Sequence, residues 1–201
     1  AQHAEAVFTV HMQKTTAKAF YSDLKSLVKA MGRNENQCLV LPGLSPAIGS
    51  TEDEAERFSK NLNDLIDIDE GLARLSARFG STDFSHLPLD IPLSPEDFPD
   101  PSTVESARSR TEVIVGVVRT EGLTLRQLLS KMAGARGHYV VAGTPEHIAD
   151  LIEDWLTDGV ADGFNLMPPV LPKMLDVFID EVVPLLQKKG IFRTEYHGDT
   201  L

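Results

Sequence analysis

Two periods of apolar residues organise the chain. Residues 4–10, AEAVFTV, form a short apolar run between polar flanks, the pattern of a strand buried on both faces. From Thr15 to Met31 the residues Phe20, Leu24, Leu27, Val28 and Met31 recur at helical spacing, and Gly32 supplies a stop. CLVLPGLSP, beginning at Cys38, reads as a second buried strand ending in a Pro-Gly loop. TEDE at 51–54 has the form of a capping box, the Thr hydroxyl accepting from the backbone at Glu54 while the carboxylate reaches back. Residues 80–103 are too dense in proline for a regular element and predict a long ordered loop or insertion. The stretch 102–121 is ambiguous between helix and strand; Val104, Ala107, Val115 and Val118 favour a helix with one apolar side. LTLRQLLSKMAGARG is helical, with Leu125, Leu128, Leu129 and Met132 on one face.

Residues 140–172 read as strand, turn, helix, turn, strand and then a proline-studded loop. Thr144 suits an N-cap with Pro145 at the first helical position, where a missing N–H costs nothing. Ile148, Leu151, Ile152, Trp155 and Leu156 make one stripe, Gly159 closes it, and DGFNLM follows as a strand. The last amphipathic helix, MLDVFIDEVVPLLQKKG, is expected to kink or restart at Pro184. Alternating strands and helices imply an α/β fold with parallel strands and right-handed crossovers. Three strands stand out, at 4–10, 38–46 and 162–167, and three parallel strands leave two open edges to be covered. The expectation is therefore part of a larger sheet or barrel.

Composition narrows the partners. The 201 residues suffice for one domain with a substantial core, and a formal charge of −11 disfavours nucleic acid or an anionic membrane surface. No segment approaches the roughly 20 apolar residues of a membrane span, and the start, which lacks Met, has no signal-peptide pattern. Cys38 is the single cysteine; it has no basic neighbour and reads as a small buried hydrophobe, which suits a reducing cytoplasm. No HxxxH, CxxC, GxGxxG, P-loop or GxSxG occurs, so no metal site is expected and the Rossmann, NTPase and hydrolase readings lack their defining turns.

The blocks HAEAVFT, VLPGLSPAIGSTEDEAE, AGARGHYVVAGTPEHIADLIEDW, DGFNLMPPVLP and VVPLLQKKGIFRTEY, in this order, resemble the C-terminal part of the flavin-dependent monooxygenases of the bacterial-luciferase-like superfamily. The resemblance is to the subgroup with nitrilotriacetate monooxygenase, dibenzothiophene-sulfone monooxygenase and the oxidising part of pristinamycin synthase. It implies strands 6, 7 and 8 of a (β/α)₈ TIM barrel in one partial-barrel domain: residues 1–79 for strands 6 and 7 with their helices, 80–136 for an insertion, and 137–201 for the strand 8 unit and C-terminal helix. It also implies a two-component enzyme that oxidises a small organic substrate with O₂ and FMNH₂, the latter supplied by a separate NAD(P)H:flavin reductase. Strands 1–5 and the family's flavin-phosphate loop have no counterpart in the chain, so the fragment is expected to be inactive alone. An N-terminal half or a homo-oligomer would cover its edges.

At the barrel rim, where such enzymes keep their sites, the resemblance implies flavin contact for Phe8, Thr9 and Val10. Pro42, Leu44 and Ser45 after strand 7, with Met167 and Pro168 after strand 8, would form a substrate wall. No catalytic residue is assigned; His11, His86 and His138 are weaker candidates for a base, and His147 is expected to be solvated. Two other readings stay open: a non-catalytic, self-associating partial barrel, and an unrelated α/β enzyme binding a phosphorylated ligand at the loops after the second and third strands.

Overall fold

In the computed structural model, which describes residues 1–104, 108–135, 137–195 and 198, four parallel strands are layered with helices. Ala107, Arg136 and Tyr196 of the segments considered above lie outside the described residues. The strands are β1 (Ala6–Thr9), β2 (Leu39–Ile48), β3 (Tyr139–Gly143) and β4 (Asn165–Leu166). The helices are α1 (Lys14–Ala30), α2 (Glu52–Asp64), α3 (Ile68–Arg78), α4 (Arg108–Glu121), α5 (Leu125–Ala135), α6 (Pro145–Thr157), α7 (Lys173–Val177) and α8 (Val183–Lys188).

The second strand corrects the sequence reading. It does not end at Pro42-Gly43 but runs on to Ile48, because it changes partners there. Ala6–Thr9 pair with Leu39–Pro42, and Tyr139–Gly143 pair with Leu44–Ile48. β4 pairs with Gly43 and Leu44. Leu44 thus has β3 on one edge and β4 on the other, and the apolar VVAG run is a fourth strand of the sheet. Pro is tolerated at Pro42 because the ladder is handed over at that point. Within the described residues β1, β3 and β4 each pair only with β2.

Three apolar clusters form. Leu44, Ile48, Ile148, Ile152, Met174 and Leu186 fill the space between the sheet, α6 and α8. Ala17, Trp155, Val160 and Ala161 join α1 to α6. The third belongs to the excursion between β2 and β3: Leu75, Phe79, Phe84, Phe98, Ile114, Leu125 and Leu128 pack together. The proline-rich stretch contributes Phe84 and Phe98 to it, and contains two short 3₁₀ turns, Pro95–Asp97 and Pro101–Thr103, where no regular element was expected.

The helix ends follow their sequence signals with one shift. Thr51 Oγ1 accepts from Glu54 N, but the Glu54 carboxylate reaches back to Ser50, taking its N–H at 3.0 Å and its hydroxyl, instead of the Thr51 N–H. Gly49 permits this tight entry, since a Cβ there would lie 2.5 Å from Ala55 N. Thr144 caps α6 with Pro145 in its first turn. The final helix contains a π segment, Phe178–Val182, just before Pro184; the looser turn absorbs the N–H that Pro184 lacks.

Burial departs from the pattern on one side of the molecule. β1 is not buried on both faces: Thr9 is enclosed, but Phe8 is 54% exposed. Of the helical stripe on α1 only Val28 is buried, whereas Phe20, Leu27 and Met31 are 37%, 45% and 53% exposed. These residues are spaced to pack against something, and within the described residues nothing covers them.

Candidate functional site

The C-terminal end of β1 opens into a hollow of about 330 Å³, at the small end of the roughly 300–1,000 Å³ typical of ligand sites. Phe8, Thr9 and Val10 line it together, followed by His11 and Met12, with Arg78 from the end of α3 and Arg110 from the start of α4 above them. Gly137, at φ +91°, lets the chain pass close over Val10 and Met12.

Polar capacity is left over at the floor. Thr9 Oγ1 and His11 Nδ1 are both buried without a hydrogen-bond partner among the described residues, a state that native interiors tolerate rarely. Burial pushes the His11 imidazole below its usual range, so it is neutral at pH 7 and offers one donor and one acceptor nitrogen. Its ring lies 5.5 Å from that of Phe20, between centroids.

On the other side of Phe8 the buried His138 ring stacks at 5.0 Å, tilted by only 7°. That arrangement explains the glycine in VLPGL. A Cβ on Gly43 would lie 2.3 Å from His138 Nδ1, so only glycine lets the imidazole rest against β2 and reach Phe8.

The proposed substrate wall is not part of this hollow. Pro42, Leu44 and Ser45 lie within β2, Pro42 and Ser45 enclosed with Leu44 in the core, and Ser45 is in register with Val140. Met167 and Pro168 are half-buried just after β4, and Met167 N donates to Leu44 O at 2.8 Å. Leu44 lines a second, larger hollow of about 580 Å³ with Leu39, Phe164, Leu166 and Phe178. The structure therefore brings together the three residues named for flavin and puts the five named for substrate elsewhere. Of the other histidines, His147 is not simply solvated: its Nδ1 is 3.1 Å from Glu52 Oε1, which links the first turns of α2 and α6.

A buried ionic knot fixes β4 to the rest. Lys25 Nζ donates to Asp162 Oδ2 at 2.8 Å and to the carbonyls of Glu35 and Cys38 at 3.0 and 2.8 Å. Asp162 also accepts from Tyr21 Oη at 3.0 Å and Val40 N at 2.7 Å, while its own N–H donates to Val40 O. Burial, then the Asp162 carboxylate, pushes the Tyr21 phenol up to about 12. Sequence reasoning passed over Lys25, Asp162, Arg78 and Arg110. Each sits at an ordinary polar position of a helix or turn, and only the crossovers bring them together.

No family model matches the chain. In sequence it is 43% identical, over all 201 residues, to nitrilotriacetate monooxygenase component A of Aminobacter aminovorans, and covers 44% of that protein. It is 39% identical, also over its whole length, to N-acetyl-S-(2-succino)cysteine monooxygenase of Bacillus subtilis, covering 45%. Among solved structures, EDTA monooxygenase from Chelativorans sp. BNC1 superposes on 99% of the chain, with TM-score 0.69 and 33% identity, and the chain covers 45% of it. The chain thus spans somewhat less than half the length of the relatives it matches.

Proposed function

From a chain related along its whole length to nitrilotriacetate monooxygenase component A and its relatives, we infer part of a two-component flavin-dependent monooxygenase that oxidises a small organic substrate with FMNH₂ and O₂. The single observation that carries this reading is the 43% identity extending from the first residue to the last. On it, β1, β2 and β4 are three neighbouring strands of a (β/α)₈ barrel, corresponding to strands 6, 7 and 8. The one-sided pairing of β1 and β4 and the bare apolar face of α1 support the same view, since both await the rest of a closed ring.

The residues of the hollow fit one flat face of a flavin ring, though not a whole cofactor. Phe8 offers an aromatic surface, and the orphaned Thr9 hydroxyl and neutral His11 offer hydrogen bonds at its rim. Reduced flavin, when bound, supplies the electrons for activating O₂. The chain's own part is to orient the ring with Phe8, Thr9 and Val10, to keep water out with Val7, Val113 and Ile114, and to hold a proton on His11. Pro42, Leu44, Ser45, Met167 and Pro168 would brace or line the substrate side. A separate flavin reductase is the partner this chemistry needs; the words "component A" in the name of the Aminobacter relative speak of a second component for that protein. The single buried Cys38 suits a cytoplasmic setting.

The test compares the chain alone with a chimera in which the front part of the Aminobacter relative is fused ahead of it. Quenching of flavin fluorescence should report FMN binding by the chimera and little by the chain alone. A folded chimera that binds no flavin refutes the reading. Tight FMN binding by a monomeric, isolated chain refutes the division of the cofactor site. A second reading, a non-catalytic self-associating module, draws on the exposed Phe20, Leu27 and Met31; in that case both species bind no flavin and the chain is a stable oligomer.

A further inference from the structure

His138 occupies a slot that its neighbours are shaped to leave open. It stands just before β3, and Tyr139 beside it is in register with Leu44. The imidazole therefore falls at Gly43, where a Cβ would lie 2.3 Å from its Nδ1. Gly137, the residue before it, is at φ +91°, a conformation that residues with a Cβ rarely adopt, and a Cβ there would lie 3.4 Å from both Met12 and Val10. Two glycines thus give one imidazole its place between β2 and β1, and His138 is only 7% exposed.

Phe8 shows what the slot does. Its ring meets the His138 ring in a nearly parallel stack, 5.0 Å between centroids and 7° between planes, within the range of aromatic pairs. With one face taken, the other is left to the β1 hollow, which Phe8 lines. A phenylalanine at a strand end can change rotamer, and hydrophobic burial gives no reward for holding it outward. Here the ring is clamped beside the Thr9 hydroxyl, which is 6% exposed and has no hydrogen-bond partner among the described residues. A fixed aromatic face with an unspent hydroxyl at its edge is a preorganised seat for a flat ring with a polar rim.

We propose that His138 is a positioning residue for the flavin site: its imidazole holds Phe8 in the orientation that stacks on the flavin ring, and Gly43 and Gly137 provide the space it needs. That the flat ring is a flavin rests on the oxygenase reading; the hold of His138 on Phe8 does not. A histidine that only filled the core would add to stability and leave ligand affinity to Phe8 alone. A positioning histidine makes the contribution of Phe8 depend on the ring behind it.

Two titrations test this, each on the wild type, His138→Leu, His138→Phe, Phe8→Leu and the double variant Phe8→Leu, His138→Leu. In the first, lumiflavin, the bare ring system, is added to the chain carrying isotope-labelled phenylalanine, and the Phe8 ring signals are followed by NMR. Lumiflavin should move those signals in the wild type, weakly because the chain meets one face of the ring, and not in His138→Leu. In the second, FMN is added to the chimera and flavin fluorescence gives Kd. His138→Leu should weaken FMN about threefold to tenfold, the worth of one aromatic stack. His138→Phe, which restores a ring, should recover most of that loss, and in the Phe8→Leu background His138→Leu should change nothing. Circular dichroism checks that each variant is folded, and His138→Asn replaces His138→Leu if that one is not. Flavin affinity indifferent to His138, or an equal loss with and without Phe8, overturns the proposal and leaves the oxygenase reading standing. Lumiflavin on Phe8 of the chain, lost in His138→Leu, beside a chimera that binds no FMN sinks the oxygenase reading alone. No flavin bound by either protein overturns both.

Discussion

Replacing Asp162 by Ala is the sharpest test of how β4 is held. The substitution removes the carboxylate that accepts from Lys25, Tyr21 and Val40 N. Lys25, with a side chain 7% exposed, is then a buried ammonium left with the carbonyls of Glu35 and Cys38. Breaking one side of a buried pair costs about 3–5 kcal/mol, and those two carbonyls put this case near about 3. At about 2–4 °C per kcal/mol for a chain of this size, the melting temperature should fall by roughly 6–12 °C. Urea unfolding followed by circular dichroism is the assay, with the midpoint shifted and the slope unchanged. The double variant Lys25→Met, Asp162→Leu removes both charges and should lose clearly less than the sum of its single changes. A loss below about 1 kcal/mol for Asp162→Ala, or strict additivity in the cycle, would refute the claim that this ion pair is buried and coupled.

Gly43→Ala drives a methyl group into the His138 ring and should cost about 1–3 kcal/mol in urea unfolding; adding His138→Ala should recover most of it. Tyr21 contributes to alkaline stability. The unfolded phenol ionises near its ordinary value of 10.0, the folded one at about 12, so this contribution is intact below pH 10 and disappears as pH rises to about 12. Tyr21→Phe should flatten that decline in melting temperature. Leu27→Glu with Met31→Lys should dissociate oligomers of the isolated chain in analytical ultracentrifugation, and a wild-type chain that is already monomeric contradicts the apolar face as a contact surface.

Much of the helical layer was legible because its signals are local. Thr144-Pro145, the stripe from Ile148 to Trp155 and the stop at Gly159 each act within a few residues, and α6 begins and ends where they direct. The sheet was harder. Pro42-Gly43 carries the chemistry of a turn, yet β2 continues through it because β3 and β4 take up the ladder beyond; no local pattern encodes a partner that arrives about ninety residues later. The same limit applied to the site. Phe8, Thr9 and Val10 were singled out by the family resemblance, which sets them at the end of a barrel strand, whereas Arg78 and Arg110 come from helices whose meeting depends on the packing of Phe79, Phe84 and Ile114. The exposed stripe of α1 fits the helical pattern too, and only the structure shows it uncovered.

One strand serving two partners in succession has a consequence for diversification. The segment from α2 to α5 leaves after β2 and returns at β3, which pairs with β2, and Gly49 N–H donates to Gly143 O at 3.2 Å to cinch its base. With its own phenylalanine-rich interior, this segment can be lengthened, shortened or exchanged for another without disturbing the strand that anchors both of its ends.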